Sequence, residues 1–195
     1  MQKPVRIGVD LDGTLADYQK VLVKFVNKKY QKDHKLSEIR RDDCYDILGK
    51  NFISRAIKLR GFYSASSSLR GIPPLEGASD VLKELKNRGY DINIVTSRFI
   101  GFSKNTRKWI EAYFGKKTFR RVIFSNILTS YSTKLKVRKY VRLGVEIVIE
   151  DSPHVARKCS KLGMRVFLID HPWNRGVSMP GVTRVSGWNE VIKKI

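Results

Sequence analysis

The chain of 195 residues carries 39 Lys and Arg against 18 Asp and Glu, which gives a formal net charge of +21. Hydrophobic residues make up 42% of it, as in ordinary globular proteins, and no apolar run approaches the roughly 18 residues that cross a membrane. Two cysteines do not form a disulfide framework in a chain of this size, so both are expected to be free thiols. The first strand-like run begins at Val5 and leaves no room for a secretory signal, so we expect a cytoplasmic protein.

Predicted strands alternate with amphipathic helical stretches along most of the chain. The last two strands are nearly all apolar, as strands covered on both faces should be. This alternation predicts an α/β fold built on a parallel sheet. The predicted strands are Val5 to Val9, Asp91 to Val95, Arg121 to Phe124, Val145 to Ile149 and Arg165 to Ile169.

Residues 17–74 interrupt the alternation. Apolar residues at helical spacing follow Val21, and a second helix-like run begins near Phe52, with a polar stretch between them. A segment of this length is too long for a structureless loop, so we predict a helical insertion that returns to the core at Pro73 and Pro74. The expected division is a core of residues 1–16 and 75–195 and a helical subdomain of residues 17–74.

Polar groups stand at the ends of the predicted strands or just before the helices that follow. Because the carboxyl ends of parallel strands line one crevice, these groups are expected to converge there. Carboxylates, a hydroxyl and a lysine in one crevice suit a magnesium ion and a phosphoryl group. The groups are Asp10 and Asp12; Thr96, Ser97 and Arg98; the lysines of "STKLK", Lys134 and Lys136; and Glu150 with Asp151.

The same segments resemble the haloacid dehalogenase superfamily of phosphohydrolases, and within it the 5'(3')-deoxyribonucleotidase family. The resemblance is carried by "DGTLAD", "PPLEGASDVLKELKNRGYDINIVTSR", "IEDSP" and "HPWNRG…RVSGWNEV". It runs from Val5 to about Ile192 and is poor in the insertion. It implies a Rossmann-like three-layer sandwich around a parallel sheet, with the insertion after the first strand acting as a cap over the active site.

The resemblance also implies a mechanism. Asp10 is expected to be the nucleophile that becomes an aspartyl phosphate, and Asp12 the general acid and base. The expected cofactor is Mg²⁺, bound by the Asp10 carboxylate, the Asp12 backbone carbonyl and Asp151. Many relatives carry an aspartate at the position of Glu150. Since the glutamate side chain is longer, Glu150 is expected either to bind the ion directly or to lie just outside its ligands.

Phosphate contacts are expected from three further positions. Thr96 would donate a hydrogen bond to a phosphate oxygen, and Ser97 and Arg98 are candidate contacts to the phosphate or the leaving group. Lys134 is preferred over Lys136 as the lysine that holds the nucleophile and the phosphate, in a helix expected to place Val137 and Val141 on one face. Aromatic residues in the insertion either stack on a base or belong to the core: Tyr18, Tyr45, Phe52, Phe62 and Tyr63.

The positive charge leaves more than one partner open. Residues 102–142 hold twelve Lys or Arg and one acid, Glu111, which indicates either a solvated basic face or a nucleic-acid surface. The leading function is a nucleotidase acting on (deoxy)nucleoside monophosphates. The alternatives are a phosphatase acting on polynucleotide ends or small phosphorylated metabolites, and a basic nucleic-acid-binding protein on the same scaffold. A homodimer is compatible with the sequence, which gives no support for one.

Overall fold

The computed structural model of the protein describes residues 3–49, 51–64, 71–125 and 132–195. The strands in these ranges form one all-parallel sheet, with helices on both faces. The predicted α/β class with a Rossmann-like sandwich is therefore confirmed. The strands are β1 Arg6–Val9, β2 Asp91–Thr96, β3 Arg121–Phe124, β4 Ile147–Glu150, β5 Arg165–Ile169 and β6 Val182–Val185.

The strand order is β3-β2-β1-β4-β5-β6, so β1 and β4 lie side by side at the centre of the sheet. The register between them pairs Ile7 with Ile147 and Val9 with Ile149. From β1 the chain forms β2 and β3 on one side. It then crosses back to form β4 on the other side of β1, followed by β5 and β6. In sheets of this kind, ligands bind at the point where the strand order reverses, at the carboxyl ends of the strands.

Helices connect the strands and pack on the two sides of the sheet. Ser152 and Pro153 show how one of them begins: the Ser152 hydroxyl accepts a hydrogen bond from the Val155 backbone, and proline stands at the first helical position. The helices are α1 Tyr18–Tyr30, α2 Tyr45–Leu48, α3 Phe52–Ser64, α4 Ala78–Asn87, α5 Ser103–Phe114, α6 Ser132–Leu143, α7 Pro153–Lys161 and α8 Trp188–Lys194, with 3₁₀ turns at Leu36–Glu38, Ile100–Phe102 and Pro172–Asn174. None of the helices in the described ranges has the length and apolar character of a membrane span.

The two faces of the sheet carry separate buried clusters. Along β4, Ile147 and Ile149 belong to the cluster that includes side chains of α4, α5 and α8, while Val148 belongs to the cluster with α6 and α7. This alternation is what the period-two geometry of a strand requires when both faces are covered. It explains why the central strands are almost wholly apolar.

The insertion between β1 and β2 is tied to the core at its base. The Asp17 backbone N–H donates to the Pro73 carbonyl at 3.0 Å, and the Leu75 N–H donates to Leu15 at 2.8 Å. Its described residues form α1, α2 and α3, whose buried side chains join the same cluster as β1 and α4. The helical content follows the sequence expectation, while a separate cap subdomain over residues 17–74 stays a prediction.

The strand predictions differ from the structure in four places. The first strand begins one residue later than predicted, at Arg6, and the second ends one residue later, at Thr96. The fourth strand runs from Ile147 to Glu150, not from Val145 to Ile149. The sixth strand, Val182–Val185, was not predicted, because its sequence "VTRV" is short and partly polar. It lies at the edge of the sheet and pairs only with β5, so it needs little apolar surface.

Candidate active site

Three acidic side chains converge where the central strands end. Asp10 follows β1, Glu150 ends β4, and Asp151 comes next in the chain. The Asp10 backbone N–H donates to the Ile149 carbonyl at 3.1 Å, which fixes the end of one strand against the other. One carboxylate oxygen from each acid lies within 4.8 Å of the others, and all three residues are buried. The predicted convergence of the two strand ends is present in the structure.

The lysine in this cluster is Lys136. Its Nζ atom lies 2.5 Å from Asp10 Oδ1 and 2.6 Å from Glu150 Oε1, and the residue is only 4% exposed. Lys134, which the sequence analysis preferred, is exposed on the same helix. Residues two apart in a helix point roughly 200° apart, so only one of the two lysines can face the sheet. The structure therefore corrects the position: Lys136, not Lys134, contacts the nucleophile candidate.

Tyr140 completes the contacts of Glu150 and was missed by sequence reasoning. Its hydroxyl donates to Glu150 Oε1 at 3.0 Å, from one helical turn beyond Lys136. The ring packs so closely against β1 that a Cβ atom at Gly8 would lie 2.5 Å from it. Glycine at position 8 is what allows this approach. The i, i+4 spacing of a lysine and a tyrosine was the available signal in the sequence.

Burial dominates the electrostatics of the cluster. It raises the pKa of Asp10, and the Lys136 charge opposes that shift. Burial likewise raises the pKa of Glu150, to about 7, with Lys136 again acting in the opposite direction. Asp151 has its pKa raised well above the usual value, first by burial and then by the charges of Asp10 and Glu150. Lys136 itself is buried, which lowers its pKa, but its two carboxylate partners outweigh that effect and raise it.

The donor set fits a hard divalent cation. Three carboxylates face one ammonium group, so the cluster holds more negative than positive charge. Oxygen ligands alone are what Mg²⁺ prefers. Gly13 leaves space beside this set: its φ is +81°, and a Cβ atom there would lie 2.3 Å from Asp151 Oδ2. Any side chain at position 13 would occupy the space next to the carboxylate.

Asp12 has a different partner from Asp10. Arg98 donates from Nε to Asp12 Oδ2 at 2.8 Å and from a terminal nitrogen to Oδ1 at 2.5 Å. The third guanidinium nitrogen donates to Thr106 Oγ1 at 3.3 Å. Arg98 was a candidate contact to the phosphate or the leaving group, which stays a prediction, and its buried guanidinium binds Asp12. The Asp12 side chain keeps about a fifth of its surface exposed, which leaves it accessible from the crevice.

Thr96 and Ser97 lie at the end of β2, beside β1. Thr96 is buried, and its hydroxyl accepts a hydrogen bond from the Arg98 backbone at 3.2 Å. Its carbonyl accepts from both the backbone and the hydroxyl of Ser125, at 2.8 and 3.0 Å. Ser97 is exposed, and its hydroxyl lies 3.4 Å from that of Ser125. Ser125 follows β3 directly and was not singled out from the sequence.

The segment after β5 supports Asp151 and the first loop. Trp173 donates its indole N–H to Asp151 Oδ2 at 3.0 Å, and Asn174 donates to the Asp151 backbone carbonyl at 2.9 Å. His171 Nε2 lies 2.6 Å from the Gly13 carbonyl, and the imidazole stacks on the Trp173 ring with centroids 4.2 Å apart. The tryptophan therefore does more than fill space, because it orients a candidate metal ligand.

The aromatic residues of the insertion are mostly core. Tyr18, Phe62 and Tyr63 are each less than a tenth exposed and pack on one another, with ring centroids 5.4–6.1 Å apart. Tyr45 is half-buried, with the guanidinium groups of Arg41 and Arg55 over its ring. The Phe52 side chain lies outside the described residues. The three buried rings have no free face for a base in this arrangement.

A phosphohydrolase of the haloacid dehalogenase type is the class that this sheet order and strand-end cluster define. A haloacid dehalogenase-like hydrolase from Streptococcus pneumoniae has the same fold, with a TM-score of 0.71 over 98% of each chain at 18% identity. The family model described as "5' nucleotidase, deoxy (Pyrimidine), cytosolic type C protein" matches residues 3–195, and the chain belongs to this family. It is therefore a hydrolase of phosphoric monoesters.

Two relatives show how far the sequence similarity extends. A protein of Bordetella bronchiseptica named "Putative 5'(3')-deoxyribonucleotidase" is 26% identical over 179 residues, which cover 87% of this chain and 85% of the relative. The human "5'(3')-deoxyribonucleotidase, cytosolic type" is 25% identical over 134 residues, covering 64% of this chain and 65% of the human protein. The similarity to the bacterial protein thus extends over most of both chains.

Proposed function

We propose that the protein is a Mg²⁺-dependent nucleotidase that removes phosphate from (deoxy)nucleoside monophosphates through an aspartyl phosphate on Asp10. The observation that carries this proposal is the contact of Lys136 with Asp10 inside a buried cluster of three carboxylates. Family membership supports the substrate class. A cytoplasmic location is part of the proposal, supported by the "cytosolic type" name of the human relative.

The first step transfers the phosphoryl group to Asp10. A carboxylate oxygen of Asp10 attacks phosphorus, and the bond from phosphorus to the ester oxygen breaks. Lys136 holds the other Asp10 oxygen and directs the attacking one, while the Thr96 hydroxyl would donate to a phosphoryl oxygen. Bound Mg²⁺ would neutralise the repulsion between nucleophile and phosphate. The second step is attack of water on the aspartyl phosphate, which releases inorganic phosphate and restores Asp10.

Asp12 is assigned the proton transfers of both steps. It gives a proton to the departing ester oxygen and takes one back from the attacking water. Arg98 holds both carboxylate oxygens of Asp12, so proton delivery requires that this contact loosen when substrate enters the crevice. The substrate phosphate is an alternative partner for the guanidinium, which is how Arg98 would still contact it.

The metal ligands can be ranked from their contacts. Asp10, Asp151 and the Asp12 backbone carbonyl are the proposed ligands. Glu150 already accepts hydrogen bonds from Tyr140 and from the Ser152 backbone and pairs with Lys136. These contacts favour Glu150 as the residue that positions Lys136, and Asp151 as the more direct ligand.

A second candidate substrate is a phosphorylated polynucleotide end or a small phosphorylated metabolite. The observations that favour it are the net charge of +21 and the burial of Tyr18, Phe62 and Tyr63, three of the candidates for stacking on a base. Both candidates use the same catalytic groups. They differ only in what lies beyond the phosphate.

Phosphate release decides between the candidates. We would assay deoxynucleoside and nucleoside monophosphates, 3'- and 5'-phosphorylated oligonucleotides and sugar phosphates, with and without Mg²⁺, and use Asp10→Asn as the blank. The proposal expects Mg²⁺-dependent turnover that is fastest with mononucleotides and absent in the variant. Faster turnover of oligonucleotide ends or sugar phosphates would show that nucleoside monophosphates are not the preferred substrates. Salt-sensitive nucleic-acid binding without any turnover would contradict both enzymatic candidates and favour a nucleic-acid-binding protein on the same scaffold.

A further inference from the structure

The amino ends of β1, β2 and β3 carry a groove lined with basic side chains. A cleft of about 590 Å³ lies against α5 and β3, and a smaller hollow of about 100 Å³ adjoins it along the amino ends of the strands. Arg120 and Arg121 line both, so the two form one continuous feature. We call it the basic groove, and its cations are Arg6, Arg107, Lys116, Arg120, Arg121 and Arg142.

The basic groove has more cations than its acids can neutralise. Asp91 and Glu111 are the acids among its lining residues. Asp91 pairs with Arg120 at 2.7 Å and with Arg6 at 3.7 Å, and Glu111 pairs with Lys116 at 3.1 Å. Across the described ranges, no carboxylate forms a salt bridge with the three remaining arginines. These are Arg107, Arg121 and Arg142.

The larger cleft also has an apolar lining. Phe119 and Val122 line it together with Ile110 and Ile123, and Phe119 is only partly buried. Arg107 stays close to the strand, donating to the Val122 carbonyl at 3.0 Å. A ligand that fits this lining therefore has both negative charge and flat apolar surface. A nucleotide strand with exposed bases has both.

The position of the groove separates it from the active site. Arg6 and Arg121 begin β1 and β3, whereas Asp10 follows β1 and Thr96 ends β2. At about 3.3 Å per residue, Arg6 and Asp10 lie roughly 13 Å apart along the strand direction. The larger cleft lies against β3, which is separated from β1 by β2, so about 10 Å across the sheet separates it from the strand that Asp10 follows. A molecule in the groove does not compete with a phosphoryl group bound at Asp10.

The length of the groove favours a polymer over a single anion. Arg6 pairs with Asp91 and Arg121 with Asn93, so the two arginines are two strand spacings and two residues apart, roughly 12 Å. The larger cleft extends from β3 to side chains of α5. One phosphate would reach only a few of these cations. Because the bases of a duplex are stacked inside it, only a single strand can place bases against the apolar lining.

We propose that the basic groove binds a single-stranded nucleic acid, with its phosphates on the arginines and bases against the apolar lining. The groove then gives a role to five of the twelve Lys and Arg residues between positions 102 and 142, and none of these five belongs to the catalytic cluster. The inference goes beyond the proposed function and does not depend on it. It concerns a second site, which lies against the edge strand β3 and shares no lining residue with the catalytic cluster.

Fluorescence anisotropy with a labelled single-stranded oligonucleotide without terminal phosphates tests the proposal. The groove variant is Arg121→Gln/Arg142→Gln, and the matched control is Lys158→Gln/Lys161→Gln, which removes the same charge from exposed positions on α7. Each single-strand phosphate contact contributes about 0.7 to the slope of log affinity against log salt. We expect the groove variant to bind about tenfold or more weakly at low salt, with a slope smaller by about 1.4. The control variant should match the wild type.

Four outcomes can overturn the proposal. Equal binding by the groove and control variants would show that net charge, not the groove, attracts the strand. If inorganic polyphosphate or an abasic strand binds as tightly as the oligonucleotide, the bases do not contribute to the affinity. Asp10→Asn should bind the strand like the wild type. Loss of binding in that variant would place the strand in the catalytic crevice. Separately, retained phosphate release by the groove variant would show that the groove variant is folded.

Discussion

Arg98 binds Asp12 through both carboxylate oxygens, at 2.8 and 2.5 Å, from a guanidinium that is fully buried. The two residues lie in the segments that follow two adjacent strands, β1 and β2. The contact fixes the side chain assigned to proton transfer, and it neutralises a charge that would otherwise lie close to Asp10. Its removal should therefore affect both stability and turnover.

We expect Arg98→Ala to lower the free energy of unfolding by about 3 kcal/mol, because it leaves a largely buried carboxylate without its partner. Arg98→Lys keeps the charge but not the two-point contact, and it should fall between Ala and wild type. Urea unfolding and phosphate release measure the two effects. Arg175→Ala is the control, since the Arg175 side chain is 68% exposed in its pair with Asp170 and should contribute little. Wild-type stability in Arg98→Ala would show that the pair does not hold Asp12.

Lys136 and Lys134 form a matched pair for testing the catalytic lysine. Lys136→Met removes the cation from a cluster of three carboxylates and should lower kcat by about a hundredfold or more. Lys134→Met changes an exposed residue on the same helix and should leave kcat and the unfolding midpoint near wild type. Steady-state phosphate release on both variants decides the assignment. A larger loss in Lys134→Met would return the catalytic role to the residue preferred from the sequence.

Asp151→Asn tests the metal site. In the absence of metal, this change should raise the melting temperature, because burial and two neighbouring acids oppose the ionised form of Asp151. Mg²⁺ at a hundred times its Kd should stabilise the wild type by about 2.7 kcal/mol and the variant hardly at all. Asp80→Asn, on an exposed turn of α4, should behave like wild type in both measurements. Equal Mg²⁺ stabilisation of wild type and Asp151→Asn would exclude Asp151 as a ligand.

Trp173→Phe tests the support of Asp151. Phenylalanine keeps an aromatic ring near His171 but cannot donate to Asp151 Oδ2, so Mg²⁺ affinity should fall about 10- to 100-fold. Isothermal titration calorimetry measures the affinity directly. Trp109→Phe is the control, because Trp109 is also buried and donates its indole N–H, but to the Ile72 carbonyl. Similar Mg²⁺ affinity in the two variants would make Trp173 a packing residue only.

His171 predicts a pH dependence of stability. Burial lowers its pKa below the usual value, although its bond to the Gly13 carbonyl acts the other way. The unfolded chain then binds the proton more tightly, so stability is lost as pH falls from about 6.5 through the lower, folded-state pKa. His171→Gln cannot titrate and should reduce this loss by up to about 1.4 kcal/mol per pH unit, measured by urea unfolding. His154→Gln, an exposed site, is the control, and identical profiles for wild type and His171→Gln would contradict the prediction.

The fold was predictable because buried parallel strands have a strong sequence pattern. "VEIVI" and "RVFLI" are apolar on both faces, and the structure covers both faces of β4 and β5. The edge strand β6 needs no such pattern, since it has one neighbour and half-buried side chains. The strand is identified by its parallel pairing with β5, which the sequence pattern does not indicate.

The acids of the site were predictable and their partners were not. Asp10 and Asp151 stand at strand ends, which is a local signal, whereas the Arg98–Asp12 and Trp173–Asp151 contacts depend on how distant segments meet. The sequence analysis placed Val137 and Val141 on one face of α6, and of these two only Val137 is buried. Tyr140 is buried instead and Val141 is 51% exposed, which rotates the inner face toward Lys136.

The site combines residues at the ends of the first strand in the chain and of the fourth, so its parts are synthesised at different times. Asp10 leaves the ribosome first among the cluster, and its acidic neighbours follow only after β2, β3 and α6 have been made. A nascent or prematurely ended chain that lacks β4 has the proposed nucleophile, Asp10, without Glu150 or Asp151. Incomplete copies are therefore expected to be inert toward phosphate esters, and a translating cell acquires the activity only with chains that have passed residue 151.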